Sequence, residues 1–89
     1  MSNLESCAKK FLQRNPSLCI FSAQEAQDSY LIGVRPKGVT LFESFDSAYY
    51  LLSKKDGSYY NVHPVENAEI FEKTKNVKNL IPLDKPMHL

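Results

Sequence analysis

An 89-residue chain with 11 Lys plus Arg against 10 Asp plus Glu has a net charge of +1, which leaves no broad electrostatic footprint for nucleic acid or an anionic membrane. With 43% hydrophobic and 24% charged residues, the composition is that of one globular domain and not of a disordered chain. The longest apolar runs, such as Leu18 to Phe21, fall far short of the roughly 20 residues that cross a bilayer, and MSNLESCAKK has no apolar signal core, so a cytoplasmic location is expected.

Ser2-Asn3-Leu4-Glu5 fits a capping box, in which the serine side chain caps an early helix amide and the glutamate reaches back to the cap. Leu4, Cys7, Ala8, Phe11 and Leu12 follow at helical spacing and leave Lys9, Lys10, Gln13 and Arg14 on the wet side. Asn15-Pro16 ends this helix. Ser17 to Ala23 is apolar on both parities, as in a strand covered on both faces. After a polar turn from Gln24 to Asp28, Ser29 to Arg35 reads as a second strand, with Tyr30, Ile32 and Val34 on one side. Pro36-Lys37-Gly38 breaks it. Val39 to Phe42 reads as a short further strand and Glu43 to Asp46 as a link.

Ser47 to Ser53 and Ser58 to Val62 form a hairpin pattern around Asp56-Gly57, a pair suited to the two positive-φ positions of a type I′ turn. That turn sets Lys55 opposite Ser58, Ser53 opposite Tyr60 and Leu51 opposite Val62. It places Tyr49, Leu51, Tyr60 and Val62 on the core side, and Tyr50, Leu52, Tyr59 and Asn61 on an aromatic exterior. Pro64 suits the first turn of a second helix, whose expected buried stripe is Val65, Ala68, Phe71 and Ile70. Asn79 to Leu83 reads as a short edge strand.

The expectation is an α+β fold in two layers: an antiparallel sheet of four to five strands with two helices, in the order α-β-β-(β)-β-β-α. Residues 1–83 make a single domain and 84–89 a C-terminal tail. Both helices are expected on the same sheet face, leaving the other open.

Little in the chain speaks for chemistry. His63 has no supporting acid motif, Cys7 and Cys19 have no close Cys or His partner, and Gly33, Gly38 and Gly57 are isolated, so no catalytic residue, metal or cofactor is expected. The two cysteines read as buried core thiols. Aromatic side chains bring large contact area at low entropic cost, so the outward set points to a protein partner. Tyr50, Tyr59 and Asn61 are its expected contacts, with Glu43, Asp46 and Asp56 as an acidic rim. Oligomeric state is not readable.

Two resemblances bear on that partner. LCIFSAQEAQDSYLIGV followed by YYLLSKKDGSYYNVHPVENAEIFEK resembles the YrhB-like immunity proteins of bacterial polymorphic-toxin systems, with Asp28-Ser29-Tyr30 and Ser53 as departures. This resemblance implies a non-enzymatic protein that neutralises a toxin domain by binding it. The order of LQRNPSLCIFSA, YLIGVR, GSYYNV and NLIPLDKP is also similar to a Src-homology phosphotyrosine-binding domain. There the resemblance implies a peptide-binding adaptor without its phosphate grip, because Phe21 stands where that family has an arginine, and a phenyl ring cannot make the bidentate phosphate contact.

Overall fold

The computed structural model describes residues 3–37, 48–81 and 85–88. In chain order the elements are α1 (Asn3–Arg14), β1 (Leu18–Glu25), β2 (Ser29–Pro36), β3 (Ala48–Ser53), β4 (Tyr59–Val62) and α2 (Ala68–Thr74). The class and the order α-β-β-β-β-α are those expected. Ser2, the stretch from Val39 to Phe42, Glu43 and Asp46 lie outside the described residues.

Helix α1 forms as its spacing dictates, with Leu4, Cys7, Ala8, Phe11 and Leu12 all buried. Its end is closed by Asn15, whose backbone N–H and side-chain amide both donate to the carbonyl of Phe11 at 3.0 Å. Pro16 then turns the chain into β1. The four strands pair in the order β1-β2-β3-β4, each antiparallel to the next. Ile20, Ala23, Tyr30, Ile32, Val34 and Leu52 meet the α1 stripe and form the main core. Removing a side chain such as Phe11 from water supplies about 2 to 3 kcal/mol each, and this is what holds α1 down.

The opposite face is also occupied, which corrects the expected placement of the helices. Strand neighbours point to opposite faces, so Tyr49 faces away from Tyr50 and α1. On that far side the ring of Tyr49 meets Phe71 of α2 edge-on, with centroids 5.2 Å apart at 86°. Gln24 reaches the same helix, its Nε2 donating to the carbonyls of Thr74 at 3.0 Å and Val77 at 3.1 Å. Each helix therefore takes its own side of the sheet. A bulge in β1 helps to fill the second side: Ile20 pairs with Val34 and Ser22 with Gly33, leaving Phe21 as the extra residue. Phe21 and Ser22 crowd Gly33 so closely that a Cβ there would lie 2.6 Å from Ser22 Oγ and 2.9 Å from the Phe21 ring. Arg35 stacks over Phe21 at 5.4 Å. Cys7 belongs to the α1 layer, Cys19 pairs with Arg35 on β1, and both are buried free thiols.

The hairpin register is two residues from the expected one, with Leu51 opposite Tyr60 and Tyr49 opposite Val62. A shift of two preserves which side chains share a face. Of the pair Asp56-Gly57, only Gly57 has a positive φ, at 75°, so the turn is not type I′. Instead Lys54 to Gly57 form a four-residue loop, closed by the Ser53 N–H donating to Ser58 at 2.8 Å and the Gly57 N–H donating to Ser53 at 3.0 Å. Helix α2 is shorter than expected. Asn67 accepts the His63 N–H on its side chain and donates its own N–H to the His63 carbonyl, so Pro64 to Asn67 form a separate turn ahead of the helix. Val65 and Ala68 are consequently exposed, whereas Ile70 and Phe71 are half-buried and Thr74 is buried.

The C-terminal segment lies along the outer edge of β1. Leu80 donates to the Ala23 carbonyl at 2.8 Å, and Asn79 Oδ1 accepts the Ala23 N–H at 2.9 Å. These bonds replace the edge strand expected from Asn79, of which residues 82–83 are not described. Within 84–89, read as a tail, Met87 exchanges both backbone bonds with Ile20, at 2.8 and 2.9 Å.

Candidate functional site

With the β1 edge bonded at Ile20 and Ala23 by Asn79, Leu80 and Met87, β4 is the edge whose backbone is left open among the described residues. Antiparallel pairing alternates along a strand. Ser53 bonds to Ser58, so the bonded pairs that follow are Leu51 with Tyr60 and Tyr49 with Val62. Tyr59 and Asn61 thus turn their N–H and C=O groups outward, where a further strand would meet them.

A groove flanks this edge on each side of the sheet. On the α1 side, Lys10, Gln13 and Arg14 face Gly57, Ser58 and Tyr59 across it. On the α2 side, Leu51, Tyr60, Val62 and Ile70 form an apolar floor, with Glu69 and Lys73 at the rim. Glu69 and Lys73 pair with each other at 3.3 Å, an exposed i,i+4 contact that leaves this rim nearly neutral. Tyr60 is 58% exposed, a large ring standing beside an open strand edge.

Of the residues expected to touch a partner, Tyr50 and Tyr59 are placed otherwise. Phe11 projects from α1 onto their side of the sheet, with centroids 5.2 Å from Tyr50 and 4.8 Å from Tyr59. Both rings are half-buried core, so the aromatic exterior is not where the sequence pattern put it. Asn61 is exposed, and its side-chain amide donates to the Tyr49 carbonyl at 3.1 Å. Asp56 is exposed as well, and its carboxylate accepts the Ser58 N–H at 2.9 Å. That bond holds the Asp56 pKa below its ordinary value. Glu43 and Asp46, outside the described residues, receive no place in the site.

Sequence reasoning missed Tyr60, Lys10 and Arg14. The signal for Tyr60 was the mixed parity of β1: a strand apolar on both sides requires cover on both, and the short α2 on the Tyr49 side leaves Tyr60 exposed at one end of that face. Lys10 and Arg14 were read only as the solvated side of α1.

At the opposite end of the loop, Lys54 pairs with Glu25 at 2.8 Å and lies 5.2 Å from the Tyr30 ring centroid. The hydrogen bond to Glu25 raises the pKa of Lys54. Among the described residues no group of three or more His, Cys, Asp or Glu sits together as metal ligands would, and no helix is long and apolar enough to cross a membrane.

Compared with known protein families, with curated proteins and with solved structures, the chain shows no significant match in any of the three.

Proposed function

We propose that this protein is a non-enzymatic binding module that captures an extended segment of a partner protein along the β4 edge. The observation that carries the reading is the asymmetry of the two sheet edges: β1 is bonded by Leu80 and Met87, while Tyr59 and Asn61 of β4 point outward backbone groups that meet no partner among the described residues. Main-chain bonds to such an edge give affinity, and flanking grooves for alternate side chains give specificity. Tyr60 is the aromatic anchor of this surface.

Of the two resemblances, the peptide-binding adaptor is the better supported. A toxin-neutralising protein that worked through a bare sheet face would need a face without a helix, and here α1 and α2 lie on opposite faces. An edge with a groove on either side suits a segment rather than a broad docked face. A toxin domain remains a partner of the right kind if it offers such a segment.

The test is selection of displayed random nonapeptides on the folded protein, followed by amide hydrogen exchange of the complexes. Binding slows exchange at Tyr59 and Asn61. Replacing Asn61 by proline removes an outward N–H and the side-chain bond to the Tyr49 carbonyl but no backbone bond to β3, and so abolishes binding while circular dichroism is unchanged. Selected peptides that bind Asn61→Pro as well as the parent would overturn the reading.

A further inference from the structure

Resting on the β4-edge reading, we infer that the groove on the α1 side is a subsite for a single carboxylate side chain of the bound segment. Lys10 and Arg14 stand one helical turn apart on the exposed side of α1 and both line the groove. Neither is in an ion pair with any described residue. Two cations without a carboxylate partner, at the side of an open strand edge, form a local positive site in a chain that is otherwise close to neutral.

The position of Lys10 is set by the loop. Gly57 has no side chain, and the Lys10 stem passes over it with Cδ 2.8 Å from where a Cβ would stand. This lays the lysine stem across the loop at the side of the groove, with the residue still exposed. The hydroxyl of Tyr59 adds a donor. Its oxygen accepts the Asn15 side-chain amide at 3.2 Å, so its own O–H is left to donate. Asn15 thereby orients Tyr59.

Charge fixes the class of ligand. Lys10 and Arg14 stand against the carboxylate of Asp56 in the same groove, which leaves one net positive charge. Asp56 accepts the Ser58 N–H and is held in its ionised form, so it stays as a repulsive neighbour for any anion. A single carboxylate is matched by this environment; a dianionic phosphate is not.

Strand geometry fixes the spacing. In a segment paired with β4, successive side chains point alternately to the α1 and α2 sides. The acidic residue that meets Lys10 and Arg14 is therefore separated by an odd number of positions from the apolar residue that lies on Leu51, Tyr60 and Val62. Acidic and apolar positions at odd spacing are the sequence rule for the ligand.

The displayed nonapeptide library tests this directly, selected in parallel on the parent and on the double variant Lys10→Ala, Arg14→Ala. Both replaced residues are exposed, so the variant keeps its fold, which circular dichroism verifies. The expected result is enrichment of Asp or Glu at odd spacing from Val, Ile, Leu or Phe on the parent, lost on the variant. A synthetic selected peptide should lose roughly tenfold in affinity when its Glu becomes Gln, in line with two solvent-exposed charge contacts. Binders that are sensitive to Asn61→Pro but carry no acidic preference would overturn the subsite and leave the edge reading standing. Absence of any binder sensitive to Asn61→Pro would overturn both. A phosphoserine peptide that outbinds its Glu counterpart would overturn the monoanion assignment.

Discussion

Tyr59 meets Phe11 edge-on, with ring centroids 4.8 Å apart at 79°, and the same tyrosine takes a hydrogen bond from Asn15 at the end of α1. One side chain thus joins the last turn of α1 to the edge strand. Tyr59→Ala is expected to lower stability by about 2 to 3 kcal/mol through lost packing, and Tyr59→Phe by about 1 kcal/mol through the lost hydrogen bond. Tyr60→Ala, on the exposed neighbour, should cost less than about 1 kcal/mol. Urea denaturation midpoints at a constant m-value rank the three variants.

Gln24 holds the far end of α2 to β1 by donating to the carbonyls of Thr74, the last helical residue, and of Val77 just beyond it. Gln24→Ala should cost about 1 to 2 kcal/mol and speed amide exchange within α2 more than within α1. Equal acceleration in both helices would show that the bond supports the whole fold and not this contact.

At Gly57 two constraints coincide, a φ of 75° and the Lys10 stem overhead. Gly57→Ala is expected to cost about 1 to 2 kcal/mol. Pairing it with Lys10→Ala relieves the collision but not the backbone strain, so the double variant should be more stable than the sum of the singles predicts. A double-mutant cycle in urea measures the coupling, and strict additivity would mean that Lys10 moves aside freely.

The pKa of Asp56 is held below its ordinary 3.8 by the Ser58 N–H. In acid the unfolded chain therefore takes up this proton before the folded one does. The stabilisation is fully present above the unfolded value and is lost as pH falls through the lower, folded value. Asp56→Asn should converge with the parent in the most acidic samples and lie below it at neutral pH. Urea midpoints collected across the acid range check the sign.

The elements themselves were legible because their physics is local. The spacing of Leu4, Cys7, Ala8, Phe11 and Leu12 defines α1, and alternation defines β2. Face assignment was not, because it depends on partners far away in sequence. Tyr50 and Tyr49 are adjacent and chemically alike, and only the arrival of Phe11 on one side and Phe71 on the other decides their surroundings. The turn was misread for a related reason. Asp56 spends its side chain on the Ser58 N–H, which favours a four-residue loop over the tight turn that Asp-Gly alone suggests. The candidate site suffered most, since Lys10 and Arg14 meet Tyr59 only after α1 has crossed the hairpin, and Tyr60 borders a separate groove on the other face.

The rung between Ile20 and Met87 sets an order of events during synthesis. The first strand emerges early, yet the backbone that seals its outer side follows only after the other three strands and α2. Until then β1 is unsealed by this segment, and the nascent chain is open to pairing there with neighbouring chains on the same message. Shielding in that interval falls to whatever the ribosome or a chaperone provides, and the finished protein keeps, among the described residues, the β4 edge as a place at which another chain can join.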